Sequence, residues 1–221
     1  MSKRGQGAFD LEADKAQALK LVPVSRETEK RLDAFVVLLL HWQQRLNLIA
    51  PSTVPKIWTR HIADSLQLLK FAPEAKVWAD FGAGGGFPGI PLACALAEKG
   101  GTVHLIESNG KKAAFLREAA RVTAADVKVH QMRAKDFVDS CAEPIQVVTA
   151  RALAPLKTIF DQVLPLMAKG AIGLFPKGQD VDAELTDAAK YWTMHAVKYP
   201  SVTSPDSHIV AVSSLARREA A

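Results

Sequence analysis

The chain has 221 residues, 48% of them hydrophobic, which is enough apolar material for one full core and a small accessory segment. No run of about 18 apolar residues occurs, so we expect no membrane-spanning helix, and residues 1–14 lack the apolar stretch of a secretory signal. The formal net charge of +5 and the pI near 9.2 favour a polyanionic partner.

The two cysteines, Cys94 and Cys141, lie in apolar or strand-flanking contexts without the spacing of a metal site. They are predicted to be reduced and structural, which is typical of a cytoplasmic protein. We therefore expect a cytoplasmic location and no bound metal.

The N-terminal third of the chain is predicted to contain two helices after a mobile arm. The arm, at residues 1–24, has mixed charge. Ser25 occupies the position of an N-cap, followed by two acids in the first turn and a helical stripe of apolar residues that ends before Pro51. A second helix is predicted from about 54 to 71, so that residues 25–72 form an N-terminal helical cap rather than a separate domain.

Strand and helix patterns alternate from residue 77 onward. Strands are predicted at 77–81, 102–106, 127–131, 145–150, 171–175, 192–199 and 208–213, and helices at about 90–98, 111–123, 156–168 and 180–190. Such alternation is typical of a doubly wound α/β sheet, in which ligands bind at the carboxyl ends of the parallel strands. We expect a single domain over 25–221, with a core at 73–221 built on a mostly parallel seven-stranded sheet.

The most informative stretch is VWADFGAGGGFPGIP at residues 77–91. A short apolar strand runs there into a glycine-rich turn and then a helix, which brings bare backbone N–H groups close to a ligand. The next predicted strand ends in Glu107, 27 residues after Asp80, where an acid is placed to accept hydrogen bonds from a ribose diol. Together the two features predict an adenosine-type nucleotide site.

The spacing of the glycines narrows the ligand. Gly84, Gly86 and Gly89 fit the G-x-G-x-x-G fingerprint of dinucleotide sites, so an NAD-dependent reductase stays open on spacing alone. The run Asp80-x-Gly82-x-Gly84-x-Gly86 instead resembles motif I of the S-adenosylmethionine-dependent methyltransferases. A P-loop is excluded, because no Gly-Lys-Ser/Thr follows the turn.

Further motifs lie on both sides of the glycine turn. HWQQRLNLIAPS and RHIADSLQLL precede it, and IESNGKKAAFLREAA, RAKDF, VVTARALAPL and FPKG follow. With DFGAGGGFPGIPLA, they make the chain resemble the RsmG (GidB) family of bacterial small-subunit rRNA guanine-N7 methyltransferases over roughly residues 30–180. The resemblance implies a Rossmann-like class I methyltransferase fold and S-adenosylmethionine as the donor. It also implies that the acceptor is N7 of one guanine in the decoding-region (530) loop of 16S rRNA, in the small ribosomal subunit.

The resemblance also assigns residues to the cofactor site. They are Gly82, Phe87, Glu107, Ala134, Lys135 and Arg151, and the resemblance to motif I adds Asp80, Gly84 and Gly86. Glu107 matches the ribose-binding acid, and Ala134 and Lys135 match residues beside the adenine. The family commonly has an acid where this chain has Lys135, so Asp136 or the backbone is the alternative partner of the adenine amine.

The implied chemistry needs little acid–base machinery. Guanine N7 carries a lone pair and no proton, so the reaction needs alignment of nucleophile, methyl and sulfur rather than a general base. Arginine is the residue that reads the O6 and N7 edge of guanine best. Arg133 and Arg151 are therefore predicted catalytic residues, and Lys177 is the third candidate. We expect Arg151 to close over the methionine end and Arg133 or Lys177 to hold the guanosine or its phosphate. The alternative for each arginine is an ion pair with an acid such as Asp136.

His61, Asp64 and Ser65 share one face of the second predicted helix. Helix neighbours seldom adopt the geometry of a catalytic triad, so we expect a structural histidine bonded to Asp64. Within the family resemblance, this segment lines the substrate mouth. The basic side chains expected to contact RNA are Lys56, Arg60, Lys111, Lys112, Arg117, Lys177, Arg217 and Arg218.

Three alternative functions stay open from the residues alone. They are a methyltransferase with a different RNA or small-molecule substrate, a non-catalytic nucleotide-binding regulator, and the NAD-dependent reductase. The glycine turn and Glu107 argue for cofactor binding but do not establish catalysis.

Overall fold

The computed structural model describes residues 10–218, and residues 1–9 of the predicted arm lie outside that range. Seven strands form one sheet in the order β3-β2-β1-β4-β5-β7-β6. They are β1 Val77–Phe81, β2 Thr102–Ile106, β3 Val127–His130, β4 Val147–Thr149, β5 Ile172–Lys177, β6 Trp192–Pro200 and β7 His208–Arg217. Strands β1 to β5 pair in parallel, and β7 is antiparallel to β5 and β6. The predicted α/β fold with a mostly parallel seven-stranded sheet is confirmed.

Eight α-helices accompany the sheet in the described part of the chain. They are α1 Leu11–Leu21, α2 Arg26–Gln43, α3 Asp64–Leu66, α4 Gly89–Leu96, α5 Gly110–Thr123, α6 Ala134–Ser140, α7 Leu156–Met167 and α8 Val181–Ala188, and a 3-10 turn Ala97–Lys99 extends α4. Ser25 is the N-cap of α2, as predicted, and its hydroxyl accepts a hydrogen bond from the backbone N–H of Thr28. Within residues 10–218, no helix combines the length and apolar character needed to cross a membrane.

Apolar side chains of the strands alternate between the two faces of the sheet, and helices cover both faces. Trp78 packs in one cluster with α2, α4 and α5, whereas Ala79 and Phe81 pack in a second cluster with α6, α7 and α8. The sequence did not predict α6. This short helix buries only Phe137 and Val138, which is too few positions to make a periodic stripe.

Residues 11–21 form helix α1 in place of the predicted mobile arm. Asp14 of this helix is buried and accepts hydrogen bonds from the backbone N–H of Trp58 at 2.8 Å and the hydroxyl of Thr59 at 2.6 Å. The prediction of an arm is wrong for this segment. Only Asp14 and Ala18 are buried in α1, so its sequence lacks the apolar stripe that marks a packed helix.

The segment predicted as one helix over 54–71 consists of four short pieces. These are a 3-10 helix Pro51–Lys56, a π-helix Trp58–Ala63, α3, and a 3-10 helix Gln67–Phe71. Asp14 accepts from the first backbone N–H groups of the π-helix, at Trp58 and Thr59. Wide π turns occur frequently at functional sites, and this one carries His61.

Replacing Asp14 with alanine leaves two buried N–H groups and a hydroxyl without their acceptor. We expect the free energy of unfolding to fall by roughly 2–4 kcal/mol, because these hydrogen bonds go to a buried charged group. Urea denaturation followed by tryptophan fluorescence measures the change. Glu12→Ala, at an exposed position of the same helix, is the control and should change stability by less than about 0.5 kcal/mol. Equal effects of the two substitutions would contradict the anchoring role of Asp14.

Candidate active site

Two cavities adjoin at the carboxyl edge of the parallel strands. The glycine-loop cavity, of about 670 Å³, is lined by Gly82, Gly84, Glu107, Lys112, Met132, Arg133, Ala134 and Lys135, among others. The arginine cavity, of about 680 Å³, is lined by residues including Leu48, Thr53, Arg60, His61, Asp64, Arg151, Pro155, Pro176, Lys177, Glu184 and His208. Ala152 and Leu153, in the loop after β4, line both cavities.

The glycine turn packs closely against the loop after β4. Gly82, Gly84 and Gly86 have φ values of 69°, 51° and 85°, in the left-handed region that favours glycine. A Cβ at Gly82 would lie only 2.5 Å from Leu153 Cδ1. Ala152 also has a positive φ of 53°, a conformation that costs an L-residue roughly 1–2 kcal/mol. The residues that line both cavities therefore lie in a turn of uncommon backbone conformation, and this turn packs against the glycine turn.

Glu107 lies directly after β2, and its carboxylate faces the glycine-loop cavity. Its Oε2 accepts from the backbone N–H of Gly84 at 2.9 Å and its Oε1 from that of Asn109 at 2.7 Å. The remaining lone pairs of the carboxylate are available to hydroxyl donors. Apolar side chains such as Met132 and Leu153 line the same cavity. A carboxylate, apolar walls and bare glycine backbone together fit a nucleoside with a ribose diol.

Asp80 is buried at the end of β1 rather than exposed in a cavity wall. Its Oδ2 accepts from the backbone N–H of Gly89 at 2.9 Å, at the start of α4. Burial raises the pKa of Asp80 to about 7; Glu107 adds to the rise, and the Gly89 N–H and Arg151 oppose it. A Cβ at residue 89 would lie 2.8 Å from this Oδ2, so the contact needs a glycine. Asp80 therefore positions the glycine turn and α4.

Arg151, in the loop after β4, joins the helical cap to the core. One guanidinium nitrogen lies 2.6 Å from His61 Nδ1 and the other 3.6 Å from Asp64 Oδ2. The guanidinium carbon lies 5.0 Å from the centre of the Phe87 ring. The acid beside Arg151 is therefore Asp64 rather than Asp136, and three distant chain segments meet on one side chain.

His61 is neutral, and its tautomer follows from its partners. Burial, together with the charges of Arg151 and Arg60, lowers the pKa of His61 to about 3. Because a guanidinium only donates, His61 Nδ1 accepts from Arg151, and Nε2 carries the proton and donates to Thr53 Oγ1 at 2.8 Å. The Thr53 hydroxyl donates onward to the carbonyl of Ala50 at 2.8 Å. An imidazole with both nitrogens engaged orients Arg151 and is not placed to act as a base.

The predicted bond between His61 and Asp64 is wrong for the described structure. Asp64 uses Oδ1 to accept from the hydroxyl of Thr203 at 2.9 Å and turns Oδ2 toward Arg151. Ser65 donates to the backbone carbonyl of His61 at 2.6 Å, so the three residues do not form a triad. The predicted bond requires α-helical spacing, whereas this segment includes a π-helix, and His61 contacts Arg151, 90 positions away.

Arg133 and Lys177 lie in different cavities. Arg133 is exposed at the N-cap of α6 and lines the glycine-loop cavity. Lys177 lines the arginine cavity, but its amine donates to Glu184 Oε2 at 2.8 Å and to the carbonyl of Ala154 at 2.9 Å. The same Oε2 accepts from the backbone N–H of Leu156 at 2.8 Å. Lys177 and Glu184 thus fasten the loop after β4, and the Lys177 amine is already engaged.

The residues assigned to the cofactor by resemblance separate into two groups. Gly82, Gly84, Glu107, Ala134 and Lys135 line the glycine-loop cavity. The other four do not line it. Asp80 is buried against Gly89, Gly86 and Phe87 pack against Phe35 of α2, and Arg151 contacts Phe87 and His61. Within residues 10–218, no cluster of three or more histidine, cysteine or acidic side chains is arranged to hold a metal ion.

Most of the basic residues predicted to contact RNA lie near the two cavities. Lys56, Arg60, Lys112 and Lys177 line the cavities or the groove beside them, and Lys111 and Arg117 lie on α5. Strand β7 is antiparallel to β5, so His208 pairs with Lys177 at the carboxyl edge and Arg217 ends β7 at the opposite edge. Arg217 bonds there to Asp161, and the next residue, Arg218, donates to a backbone carbonyl of that region. The prediction that these two arginines join the basic rim is wrong.

The sequence matches the family model for rRNA small subunit methyltransferase G over residues 28–210. A ribosomal RNA small subunit methyltransferase G of Rhodopseudomonas palustris (strain BisA53) is 54% identical over 100% of this chain and 96% of its own length. One of Bradyrhizobium sp. (strain BTAi1 / ATCC BAA-1182) is 57% identical over 93% of each chain.

Solved structures share the fold at low sequence identity. The O-methyltransferase from Bacillus cereus in complex with SAH has a TM-score of 0.59 and 17% identity, and the match covers 91% of this chain and 97% of that one. A cofactor-bound protein from MTB has a TM-score of 0.58 and 17% identity, covering 95% and 99%. The Rossmann-like class I methyltransferase fold is confirmed.

Replacing Asp80 with asparagine should flatten the dependence of stability on pH. The pKa of this carboxyl is about 7 in the folded protein and 3.8 for an ordinary aspartate, so the folded protein binds an extra proton between these pH values. The free energy of unfolding therefore falls as the pH rises from about 4 to 7. Asparagine keeps an oxygen for the Gly89 N–H and cannot ionise. We expect this fall to be smaller in Asp80→Asn by about 1–4 kcal/mol, at about 1.4 kcal/mol per pKa unit.

Urea denaturation at several pH values between 4 and 8 measures this difference. Asp139→Asn, at an exposed acid on α6, is the matched control and should keep the wild-type slope. An Asp80→Asn variant with the same slope as the wild type would show that this carboxyl does not titrate in the interval.

Proposed function

The chain belongs to the GidB family, rRNA small subunit methyltransferase G, and from this premise we propose that it methylates N7 of a guanine in the decoding-region (530) loop of 16S rRNA. The observation that carries the proposal is the match over residues 28–210, which spans the cap, the glycine turn and both cavities. Membership of this family disfavours the NAD-dependent reductase and the non-catalytic regulator that the residues alone left open.

The methyl donor is S-adenosylmethionine, and the glycine-loop cavity fits it. When bound, this cofactor supplies an electrophilic methyl group on a sulfonium. Glu107 would accept from the ribose hydroxyls, with Ala134 and Lys135 beside the adenine. The bare backbone of the glycine turn would admit the methionine end next to the loop after β4. The buried carboxylate of Asp80 holds the glycine turn and α4 in place, so the cavity is already shaped before the cofactor binds.

The residues present suit a reaction that needs positioning rather than proton transfer. Guanine N7 has no proton to lose, and His61 is neutral with both ring nitrogens engaged. The role we propose for Arg151 is to hold the loop that carries Ala152 and Leu153 in register with the cap. In-line attack depends on such alignment, and misplacement of the reacting groups by about 1 Å can lower the rate roughly 100-fold.

The proposed partner is 16S rRNA within the small ribosomal subunit, and we place the reaction in the cytoplasm. Arg60 on the cap lines the arginine cavity, Lys56 lines the groove beside it, and Lys112 on α5 lines the glycine-loop cavity. Their positive charge suits the phosphates that flank a target nucleotide. Binding driven by phosphate contacts weakens steeply with salt, so the affinity for the subunit should fall as the salt concentration rises.

Methyl transfer from labelled S-adenosylmethionine to small ribosomal subunits of a strain lacking the enzyme tests the proposal directly. We expect label at N7 of one guanine in the 530 loop, located by base-specific cleavage. Naked 16S rRNA and mature subunits should be assayed in parallel to identify the substrate form. Measurable cofactor binding with no label on any of these forms would reject the proposed acceptor.

Replacing Glu107 with alanine should weaken cofactor binding. The substitution removes the acceptor of the ribose hydroxyls and also frees the backbone N–H of Gly84 from its carboxylate. We expect the Kd of S-adenosylhomocysteine, measured by calorimetry, to rise roughly 10- to 100-fold, the usual loss for hydrogen bonds to a charged group. Glu74→Ala, at an exposed acid before β1, serves as the control and should bind normally. Unchanged affinity in Glu107→Ala would place the ribose elsewhere.

A further inference from the structure

We propose that the arginine cavity receives the target guanine and that Glu184 Oε1 recognises the Watson–Crick edge of the base. This inference rests on the proposed function and adds the residue that selects guanine. The cavity of about 680 Å³ shares Ala152 and Leu153 with the glycine-loop cavity, so a base in it lies next to the methyl donor. Its walls include the apolar rings of Pro155 and Pro176.

Glu184 is the carboxylate of this cavity with an oxygen to spare. Its Oε2 accepts from the backbone N–H of Leu156 and from the amine of Lys177, each at 2.8 Å. Its Oε1 has no hydrogen-bond partner within residues 10–218, and a quarter of the side chain is exposed. The other cavity carboxylate, Asp64, already faces Thr203 with one oxygen and Arg151 with the other. The contacts on Oε2 therefore fix a carboxylate whose second oxygen is open to a ligand.

The chemistry of the base explains why this oxygen favours guanine. Guanine presents two neighbouring donors, N1–H and the 2-amino group, on its Watson–Crick edge, and an extruded base is commonly read there. Adenine presents an unprotonated N1 at the same place, which would repel a carboxylate. N7 lies on the neighbouring Hoogsteen edge of the purine and points away from the 2-amino group. Glu184 lines the arginine cavity but not the glycine-loop cavity, whereas Ala152 and Leu153 line both. Guanine can thus turn N7 toward Ala152 and Leu153 while its two donors face Glu184.

The same contact contributes to the rate. As the bond between N7 and the methyl carbon forms, the bond from that carbon to sulfur breaks, and positive charge moves to the purine without any proton transfer. The charge makes N1–H and the 2-amino group stronger donors. The hydrogen bonds to Glu184 are then stronger in the transition state than in the bound substrate, which is the condition for catalysis by binding.

The first test compares Glu184→Gln with wild type on small ribosomal subunits. In this variant the side-chain amide oxygen takes the place of Oε2 and accepts from Lys177 and Leu156. The amide NH2 group then faces the N1–H and 2-amino groups of guanine, so that donors meet donors. We expect kcat/KM to fall roughly 10- to 100-fold, with part of the loss in kcat, while the Kd of S-adenosylhomocysteine stays within about twofold. Asp182→Asn, on the exposed face of the same helix, should keep wild-type kinetics. A loss of cofactor affinity equal to the loss of activity would overturn the proposal.

The decisive test uses subunits reconstituted with inosine at the target position, because inosine lacks the 2-amino group. Wild type should lose about tenfold in kcat/KM on inosine, whereas Glu184→Gln should lose less than about threefold, since the partner of that amino group is already gone. Equal losses for the two enzymes would overturn the role of Glu184. If the variant does not fold, equal rates of wild type on guanine and inosine would also overturn it. No label on guanine subunits with wild type would reject the proposed function itself.

Discussion

The guanidinium of Arg151 is the contact on which the geometry of the site depends. It lies in the loop after β4, the central strand of the sheet. It meets His61 and Asp64 of the cap and the ring of Phe87, directly after the glycine turn. A buried cation needs such partners, because leaving it without them costs several kcal/mol. The cap is therefore part of the site. It supplies the neutral acceptor and the carboxylate that allow a charged side chain to be buried where the two cavities meet.

In each cavity a carboxylate fixes a segment of backbone. Glu107 ties the glycine turn to the start of α5, and Glu184 ties the loop after β4 to β5 through Lys177. Neighbouring strands β1 and β4 thus end in two turns that are each held from the side and that touch at Gly82 and Leu153. This arrangement gives a rigid site built from short loops, as alignment-driven transfer requires.

The features of the fold and the site that could be predicted from the sequence are those that depend on local patterns of residues. The alternation of strands and helices predicted the sheet, and the glycine turn with Glu107 predicted the first cavity. Other features depend on contacts between distant residues, such as Asp14 with Trp58, 44 positions apart, and Arg151 with His61, 90 positions apart. No local signal reports these pairs. Glu184 was also missed, although its spacing of seven residues from Lys177, across the turn from β5 into α8, is a pattern that sequence reasoning can use.

The loop that carries Ala152 and Leu153 belongs to both cavities, and this has a thermodynamic consequence. Ala152 keeps its left-handed conformation while its neighbours are held by Gly82, Lys177 and Glu184. A ligand that stabilises this loop from one side changes the affinity on the other side, and linkage requires the effect to be equal in both directions. Donor and acceptor affinities are thus coupled quantities, and the factor by which one ligand changes the affinity for the other is the same in either order of binding.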